Sequence, residues 1–293
     1  MPRGIPKLGF RKSRKSVTLP AESHDLASGP IAVATTETDE QIGVRLNRRF
    51  EALATMAAAT VEGHARSLIV SGPPGLGKSY GVEQVLANCE SKGYVAGTVK
   101  GFVRPTGLYK MLYQYRFENC VVVFDDADSV FGDEASLNLL KAACDTNEDR
   151  NISWMAETRM EDEDGFNVPR SFKFAGSVIF ITNYDFDAAI ARGHRLAPHF
   201  AAMVSRSHYL DLTLKTTRDY LVRIKQVVNE NGMLRKEGHN AQTISEILAF
   251  IEENHSKLRE LSLRLVKKIS GIVKMSPNNW KDLVEQTCFR NSY

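Results

Sequence analysis

A short glycine-rich segment is the part of the chain whose residue types and spacing point most directly to chemistry. Residues 72–79 read Gly-Pro-Pro-Gly-Leu-Gly-Lys-Ser and fit the pattern G-x-x-x-x-G-K-[ST]. In such a loop the backbone N–H groups turn inward to cradle phosphates, and the helix that follows adds partial positive charge. We expect Lys78 to reach the β- and γ-phosphates of a nucleotide, and the Ser79 hydroxyl to hold Mg²⁺. The residues predicted to bind the nucleotide are Gly72, Pro73, Pro74, Gly75, Leu76, Gly77, Lys78, Ser79 and Tyr80.

Two apolar segments further along the chain end in polar side chains that suit the same chemistry. Residues 121–124 are followed by Asp125 and Asp126, and residues 178–182 are followed by Asn183. Because ligands of open α/β sheets bind outside the carboxyl ends of the strands, we expect Asp125 to orient Mg²⁺, directly or through water. Asp126 is predicted to polarise the attacking water, and Asn183 to hold that water or to contact the γ-phosphate. The structural alternatives are a helix cap for the acids and a turn for the asparagine.

The elements that would position these residues alternate between strand-like and helix-like segments. Strand-like runs occupy residues 67–71, 94–99, 120–124 and 177–182. Helix-like patterns occupy residues 39–63, 78–91, 106–117, 134–145 and 186–192, and then, with no strand between them, residues 216–231, 241–254, 258–274 and 278–287. This alternation predicts an α/β domain in which helices cover both faces of a parallel sheet, followed by a small all-helical domain.

Composition and charge exclude several classes of protein. The chain has 293 residues, of which 43% are hydrophobic and 25% are charged, so it is not collagen-like, not a coiled coil and not disordered throughout. It has no apolar run long enough to span a membrane, and its basic N-terminus lacks the apolar core of a secretory signal. Residues 1–16 carry a net charge of +6, which leaves −3 on the remainder. Such a tail contacts nucleic acid or an acidic partner, or is simply solvated.

The four cysteines suggest neither a metal site nor a disulfide framework, because no two of them are closely spaced. They are Cys89, Cys120, Cys144 and Cys288. A reduced, cytoplasmic setting is therefore predicted, in a host cytosol if a phage encodes the chain. Cys120 adjoins a strand-like run and is expected to pack in the core.

The order of these motifs resembles that of the AAA+ ATPases. Over about residues 45–290 the chain has a phosphate loop, an apolar strand with paired acids, a strand with a terminal asparagine, an arginine and a helical domain. The segment 124–129, Phe-Asp-Asp-Ala-Asp-Ser, is similar to clamp loaders, whereas residues 150–154 and 169–176 look more like AAA+ proteins of bacteriophages and plasmids. The resemblance implies a P-loop NTPase fold with a helical lid, ATP and Mg²⁺ as ligands, and a homo-oligomeric ring, expected to be a hexamer.

The resemblance also implies catalytic roles. Asp126 lies in the Walker B position, where the family usually has glutamate, whose side chain is one methylene longer. This difference affects the expected rate of hydrolysis and not the expected binding of nucleotide. Asn183 resembles sensor 1 and Arg264 resembles sensor 2. Arg206 resembles the arginine finger that completes a neighbouring subunit's site. Two other arginines between Asn183 and Arg206 are alternative fingers, namely Arg192 and Arg195.

We predict a basic disordered tail and linker at residues 1–44, a nucleotide-binding domain at 45–214 and a helical lid at 215–293. In ring-forming members of the family an aromatic residue after the second strand lines the central pore, which makes Phe102 and Lys100 the predicted substrate contacts. A Phe102 that packs under its loop is the alternative.

Three functions follow from this interpretation. The favoured one is an Mg²⁺-dependent, ATP-hydrolysing ring motor that acts on DNA or on DNA-bound protein, because the tail and Lys100 would suit a phosphate backbone. A remodeller that threads polypeptide through the ring is the second. An ATP-gated assembly scaffold with little turnover is the third.

Overall fold

A five-stranded parallel sheet forms the centre of the N-terminal part of the computed structural model, which describes residues 37–156, 159–162 and 165–290. Its strands are β1 (Ser67–Ser71), β2 (Val95–Lys100), β3 (Cys120–Asp125), β6 (Ser177–Thr182) and β7 (His208–Asp211). They lie in the order β2-β3-β6-β1-β7 across the sheet. A separate antiparallel hairpin is formed by β4 (Asn151–Ser153) and β5 (Ser171–Lys173). The predicted parallel sheet is therefore confirmed.

Helices cover both faces of this sheet, as the buried strands require. The helices of this part are α1 (Asp39–Val61), α2 (Lys78–Glu90), α3 (Pro105–Gln114), α4 (Glu134–Ala143), α5 (Phe186–Ala191) and α6 (Ala197–Arg206). Because side chains alternate along a strand, Leu68 and Val123 pack with α1 and α2, whereas Ile69 and Phe180 pack with α3, α4 and α6 on the opposite face.

The C-terminal part of the described chain is helical and has a core of its own. It contains α7 (Thr217–Asn229), α8 (Met233–Lys236), α9 (Ala241–Glu253), α10 (Leu263–Met275) and α11 (Trp280–Cys288). Ile247, Ile269 and Trp280 are among its buried residues. Helix α1 reaches across to this region, since Arg45 Nη2 lies 2.8 Å from Oδ1 of the buried Asp219.

The strands predicted at 67–71 and 177–182 have those bounds in the structure, and the other two differ by one residue. Helix α10 begins at Leu263 and not at residue 258, because Ser262 caps it by accepting the Leu265 N–H at 3.1 Å. The sequence patterns missed β7, α6, α8 and the β4–β5 hairpin. All of these except α6 are elements of three or four residues, and β7 and the hairpin strands also lack an apolar run.

The predicted tail ends too late in the sequence. Helix α1 begins at Asp39, where the Thr38 hydroxyl accepts the Gln41 N–H, so residues 39–44 are helical and belong with the domain that follows. The basic residues 1–16 and the rest of the tail up to residue 36 lie outside the described residues. All four cysteines are buried free thiols, which confirms a core position for Cys120. Across the described ranges, no helix is long and apolar enough to cross a membrane.

Candidate nucleotide site

The glycine-rich loop lies between the end of β1 and the start of α2, the position that the sequence predicts for it. Gly75 has a φ of +75° and Gly77 a φ of +92°, a backbone conformation that only glycine adopts without strain. Gly77 is also the N-cap of α2, so the loop passes directly into the helix N-terminus. Backbone N–H groups and the positive end of a helix thus come together, as an anion site requires.

Lys78 is folded back over the loop. Its ammonium donates to the carbonyl oxygens of Gly72 and Pro73, at 2.5 and 2.9 Å, and to Oδ1 of Asn183, at 2.9 Å. Burial lowers the pKa of Lys78 to about 8, against the opposing attraction of Asp126. Because its three hydrogen-bond partners are neutral, a phosphate would be a stronger partner for this buried cation.

Ser79 and Asp125, the predicted Mg²⁺ ligands, are in direct contact. The Ser79 hydroxyl donates to Oδ1 of Asp125 at 2.7 Å, and Asp125 is buried at the end of β3. The ammonium of Lys100 lies 3.0 Å from the other oxygen, Oδ2, and 3.0 Å from Oε1 of Glu83. These two carboxylates raise the pKa of Lys100 and keep it charged.

Asp126 contacts two of the other predicted site residues. Its Oδ1 accepts a hydrogen bond from Nδ2 of Asn183 at 3.0 Å, and its Oδ2 lies 3.8 Å from Nη2 of Arg264. Asp126 has a φ of +52° and is the only non-glycine residue of the described ranges with a positive φ. Aspartate and asparagine tolerate this conformation better than most residues.

A further carboxylate at this edge was missed in the sequence analysis. Asp128 accepts a hydrogen bond from the Thr182 hydroxyl at 2.5 Å, and burial raises its pKa. The segment Asp-Ala-Asp-Ser placed Asp128 close to Asp126 in sequence, but nothing in the sequence showed that Thr182 would meet it. Asp128 thereby couples the turn after β3 to the end of β6.

The C-terminal helical region closes over the loop at the start of α10. The Leu263 N–H donates to the Gly75 carbonyl at 2.8 Å. A Cβ atom placed on Gly75 would lie 2.7 Å from Cβ of Ser262, so the two backbones approach as closely as a glycine allows. Leu76, at the tip of the loop, is buried against Ile42 of α1 and Val222 of α7.

Arg206 lies at the opposite end of the sheet from this site. The hydroxyl of Ser67, at the start of β1, donates to the Arg206 carbonyl at 3.2 Å. The Arg206 guanidinium donates to the Ala202 carbonyl at 3.0 Å. It is therefore not brought together with Lys78 or Asp126 of its own chain. Of the alternative fingers, Arg195 pairs with Glu134 at 2.8 Å and Arg192 is exposed at the end of α5.

The two predicted pore residues have different surroundings in the structure. Phe102 is 78% exposed in the loop between β2 and α3, so it does not pack under its loop. Lys100 ends β2, and its ammonium lies beside the carboxylate of Asp125, so it contacts a residue of the candidate nucleotide site; its predicted role at a pore stays a prediction. Tyr80, predicted to contact the nucleotide, lies in the first turn of α2 and is half exposed.

The residues present fit a nucleotide with Mg²⁺. The loop offers left-handed glycines and a buried lysine, and Ser79 and Asp125 offer the hydroxyl and carboxylate oxygens that Mg²⁺ prefers. Within the described ranges no group of three or more His, Cys, Asp or Glu could hold a metal ion. A metal at Ser79 and Asp125 would therefore need water, together with phosphate oxygens when a nucleotide is bound, to complete its shell.

Comparisons with known proteins identify a family and a phage relative. The model of the ATPase family associated with various cellular activities (AAA) matches residues 68–202. A protein of Enterobacteria phage T4, named as an uncharacterized 36.7 kDa protein of the nrdC–mobD intergenic region, is 36% identical over 248 residues, which cover 84% of this chain and 75% of that protein.

Solved structures are similar at a lower level. A Thermotoga maritima RuvB mutant is 14% identical with a TM-score of 0.46, over 82% of this chain and 67% of that one. Domain III of the Thermotoga maritima replication initiation protein DnaA is 9% identical with a TM-score of 0.49, over 84% of this chain and 92% of that one.

Proposed function

Because this chain belongs to the ATPase family associated with various cellular activities, we propose that it binds ATP at the phosphate loop and hydrolyses it to ADP and phosphate. One observation carries the proposal. Lys78, Asp126, Asn183 and Arg264 are widely separated in sequence, yet direct contacts join them at the carboxyl edge of the sheet. Phosphoryl transfer needs positioning and charge neutralisation, which such a cluster supplies.

Each residue has a distinct role in this proposal. Lys78 releases the loop carbonyls and neutralises the β- and γ-phosphates. Ser79 and Asp125 would hold Mg²⁺, which supplies further charge neutralisation. Asp126 accepts a hydrogen bond from the attacking water, and Asn183 orients that water. Arg264 approaches the phosphates from α10 and links nucleotide binding to the C-terminal helical region, which we assign as the lid from residue 215 onward.

We propose that Arg206 acts on the nucleotide of a neighbouring copy. Its position at the far end of the sheet supports this role, because it cannot serve its own phosphate loop. A finger supplied in trans makes the site of a monomer incomplete, so the active form is a ring, for which six copies is our proposal. A finger contributes about 10³–10⁵-fold to turnover in related chemistry.

DNA, or protein bound to DNA, is the substrate we propose. The support is the net charge of +6 on residues 1–16 and the exposed Phe102, beside which the exposed Arg104 could pair with phosphate while the ring stacks on a base. The similarity to a phage protein fits a role in phage DNA metabolism.

An ATP-gated scaffold with slow turnover is a second candidate, and the contacts of Asp126 favour it. This carboxylate is one methylene shorter than glutamate, and Asn183 and Arg264 already engage it. A carboxylate held in this way is a poor acceptor for a water proton.

The test is the steady-state ATPase rate against protein concentration, with and without single- and double-stranded DNA, for wild type and D126N. A rate per subunit that rises with concentration and with DNA supports the motor. A rate that rises with concentration but ignores DNA points to a protein substrate, which the exposed apolar side chains Phe102, Met155 and Phe166 could grip. A rate near zero, with ATP still bound, favours the scaffold.

A further inference from the structure

Lys100 holds a position in the nucleotide site that its sequence context does not predict. It is the last residue of β2 and stands in register with Asp125 of β3. Its ammonium lies between Oδ2 of Asp125 and Oε1 of Glu83, at 3.0 Å from each. Since Ser79 donates to the other oxygen of Asp125, both oxygens of the carboxylate that would orient Mg²⁺ are engaged, one of them by a cation.

We propose that Lys100 is a tethered cation that occupies Asp125 when no divalent metal is bound, and that Mg²⁺ enters by displacing its ammonium towards Glu83. The inference rests on the proposed nucleotide site and adds to it a residue that sets the affinity for the metal. The lysine ammonium is a compact charge on a flexible stem, which lets it exchange between two carboxylates without moving the strand.

The burial of Asp125 explains why a cation is needed there. Its side chain is only 6% exposed, and a buried carboxylate without a positive partner is costly. Glu83, by contrast, has a side chain that is 53% exposed, so the Lys100 side chain, itself 57% exposed, loses little when Glu83 alone holds it. Glu83 lies one turn after Ser79 on α2, which places this second partner beside the metal position.

The position of Lys100 predicts opposite effects on the binding of Mg²⁺ and on the binding of nucleotide without metal. A second positive charge beside Asp125 repels Mg²⁺, so Lys100 weakens metal binding. In the absence of metal the same charge faces the phosphates, so Lys100 strengthens metal-free nucleotide binding. Replacing a residue with only a structural role would not shift the affinity for Mg²⁺ and the affinity for metal-free nucleotide in opposite directions.

The test compares wild type, K100M, E83Q and K92M. Binding of a fluorescent N-methylanthraniloyl-ADP is measured in EDTA and along a Mg²⁺ titration. Lys92 is the matched control because it also forms an ion pair, with Glu62 at 3.1 Å, but away from the nucleotide site. It lies just beyond the C-terminal end of α2, about 20 Å from Ser79 if each residue adds the rise of an α-helix.

We expect K100M to lower the half-saturating Mg²⁺ concentration about tenfold and to weaken nucleotide binding in EDTA by about the same factor, the equivalent of one charged contact. E83Q removes the second partner of the ammonium and is expected to raise the half-saturating Mg²⁺ concentration. K92M should match wild type. The proposal is overturned if K100M matches K92M, or if K100M needs more Mg²⁺ than wild type.

A measurement without nucleotide separates this inference from the proposed function. In EDTA, K100M leaves Asp125 with the Ser79 hydroxyl but without a positively charged partner. We therefore expect the melting temperature of K100M to fall by about 2–4 °C and Mg²⁺ to restore it, while Mg²⁺ leaves wild type almost unchanged. If Mg²⁺ shifts both proteins equally, Lys100 does not compete with the metal. If the shifts differ as expected but no nucleotide binds, the inference stands and the proposed function fails.

Discussion

Replacing Gly75 by alanine tests whether the start of α10 closes on the phosphate loop. Two separate costs follow from the structure. The φ of +75° places an alanine in the left-handed region, at about 1–2 kcal/mol. The new methyl group would also lie 2.7 Å from Cβ of Ser262, and relieving such overpacking costs about 1–3 kcal/mol. The expected loss in the free energy of unfolding is therefore about 2–5 kcal/mol.

Gly93 provides the matched control for the backbone cost. It has a φ of +90°, and nothing lies within 4 Å of the position that its Cβ would take. G93A should therefore cost only about 1–2 kcal/mol. The excess cost in G75A measures the contact with the lid, because the left-handed conformation is common to both variants.

A double-mutant cycle with Ser262 isolates that contact. S262G removes the methylene group that would collide with the new methyl group of G75A. Because glycine at an N-cap is only a few tenths of a kcal/mol less stabilising than serine, S262G alone should lower the free energy of unfolding only slightly. In G75A/S262G we expect about 1–3 kcal/mol of the loss to return, whereas G93A/S262G should be additive.

Urea denaturation measures the free energy of unfolding of each variant, and the affinity for ADP is measured alongside it. G75A should bind ADP more weakly than G93A, because a displaced Ser262 carries Arg264 away from Asp126. Equal losses in G75A and G93A, with no coupling between Gly75 and Ser262, would refute the inference that α10 closes on the loop.

Three further predictions concern the chemistry of the site. Phosphate favours the charged form of Lys78, whose pKa in the free protein is about 8, so nucleotide binding between about pH 8 and 10 should take up protons. K78M should abolish this proton uptake, which is measured by calorimetry in buffers of different ionisation enthalpy. D126N should keep ATP binding and stability, because asparagine tolerates the left-handed backbone, but should slow hydrolysis by about 100-fold or more; normal turnover in a quenched-flow assay would exclude Asp126 as the group that polarises the water. R206A should bind ATP like wild type and lose about 10³-fold in turnover while R195A stays active, and the reverse pattern would move the finger to Arg195.

The sequence predicted those parts of the site that depend on local pattern. Strands β1, β3 and β6 are fully buried runs of apolar residues, so their position and the polar side chains that follow them could be inferred directly. The glycine loop needed no long-range information either, since its pattern encodes both the turn and the helix N-terminus.

The parts that depend on strand pairing could not be predicted. The contact between Lys100 and Asp125 depends on the pairing of β2 with β3, which the sequence around Lys100 does not encode. Asp126, whose N–H donates to the Ile181 carbonyl of the neighbouring strand at 2.9 Å, has a positive φ that the sequence pattern did not indicate. The contact between Arg264 and Asp126 needs the lid to dock, which no local pattern encodes.

Mixing two inactive variants tests whether the chain hydrolyses ATP at a site that a second copy completes. K78A lacks the lysine that binds the phosphates but keeps Arg206, and R206A has the opposite defect. We predict that an equimolar mixture regains steady-state ATPase activity, because the loop of one variant meets the finger of the other. If the mixture is no more active than its separate components, under conditions where wild type forms rings and turns over, then a second copy does not complete the site.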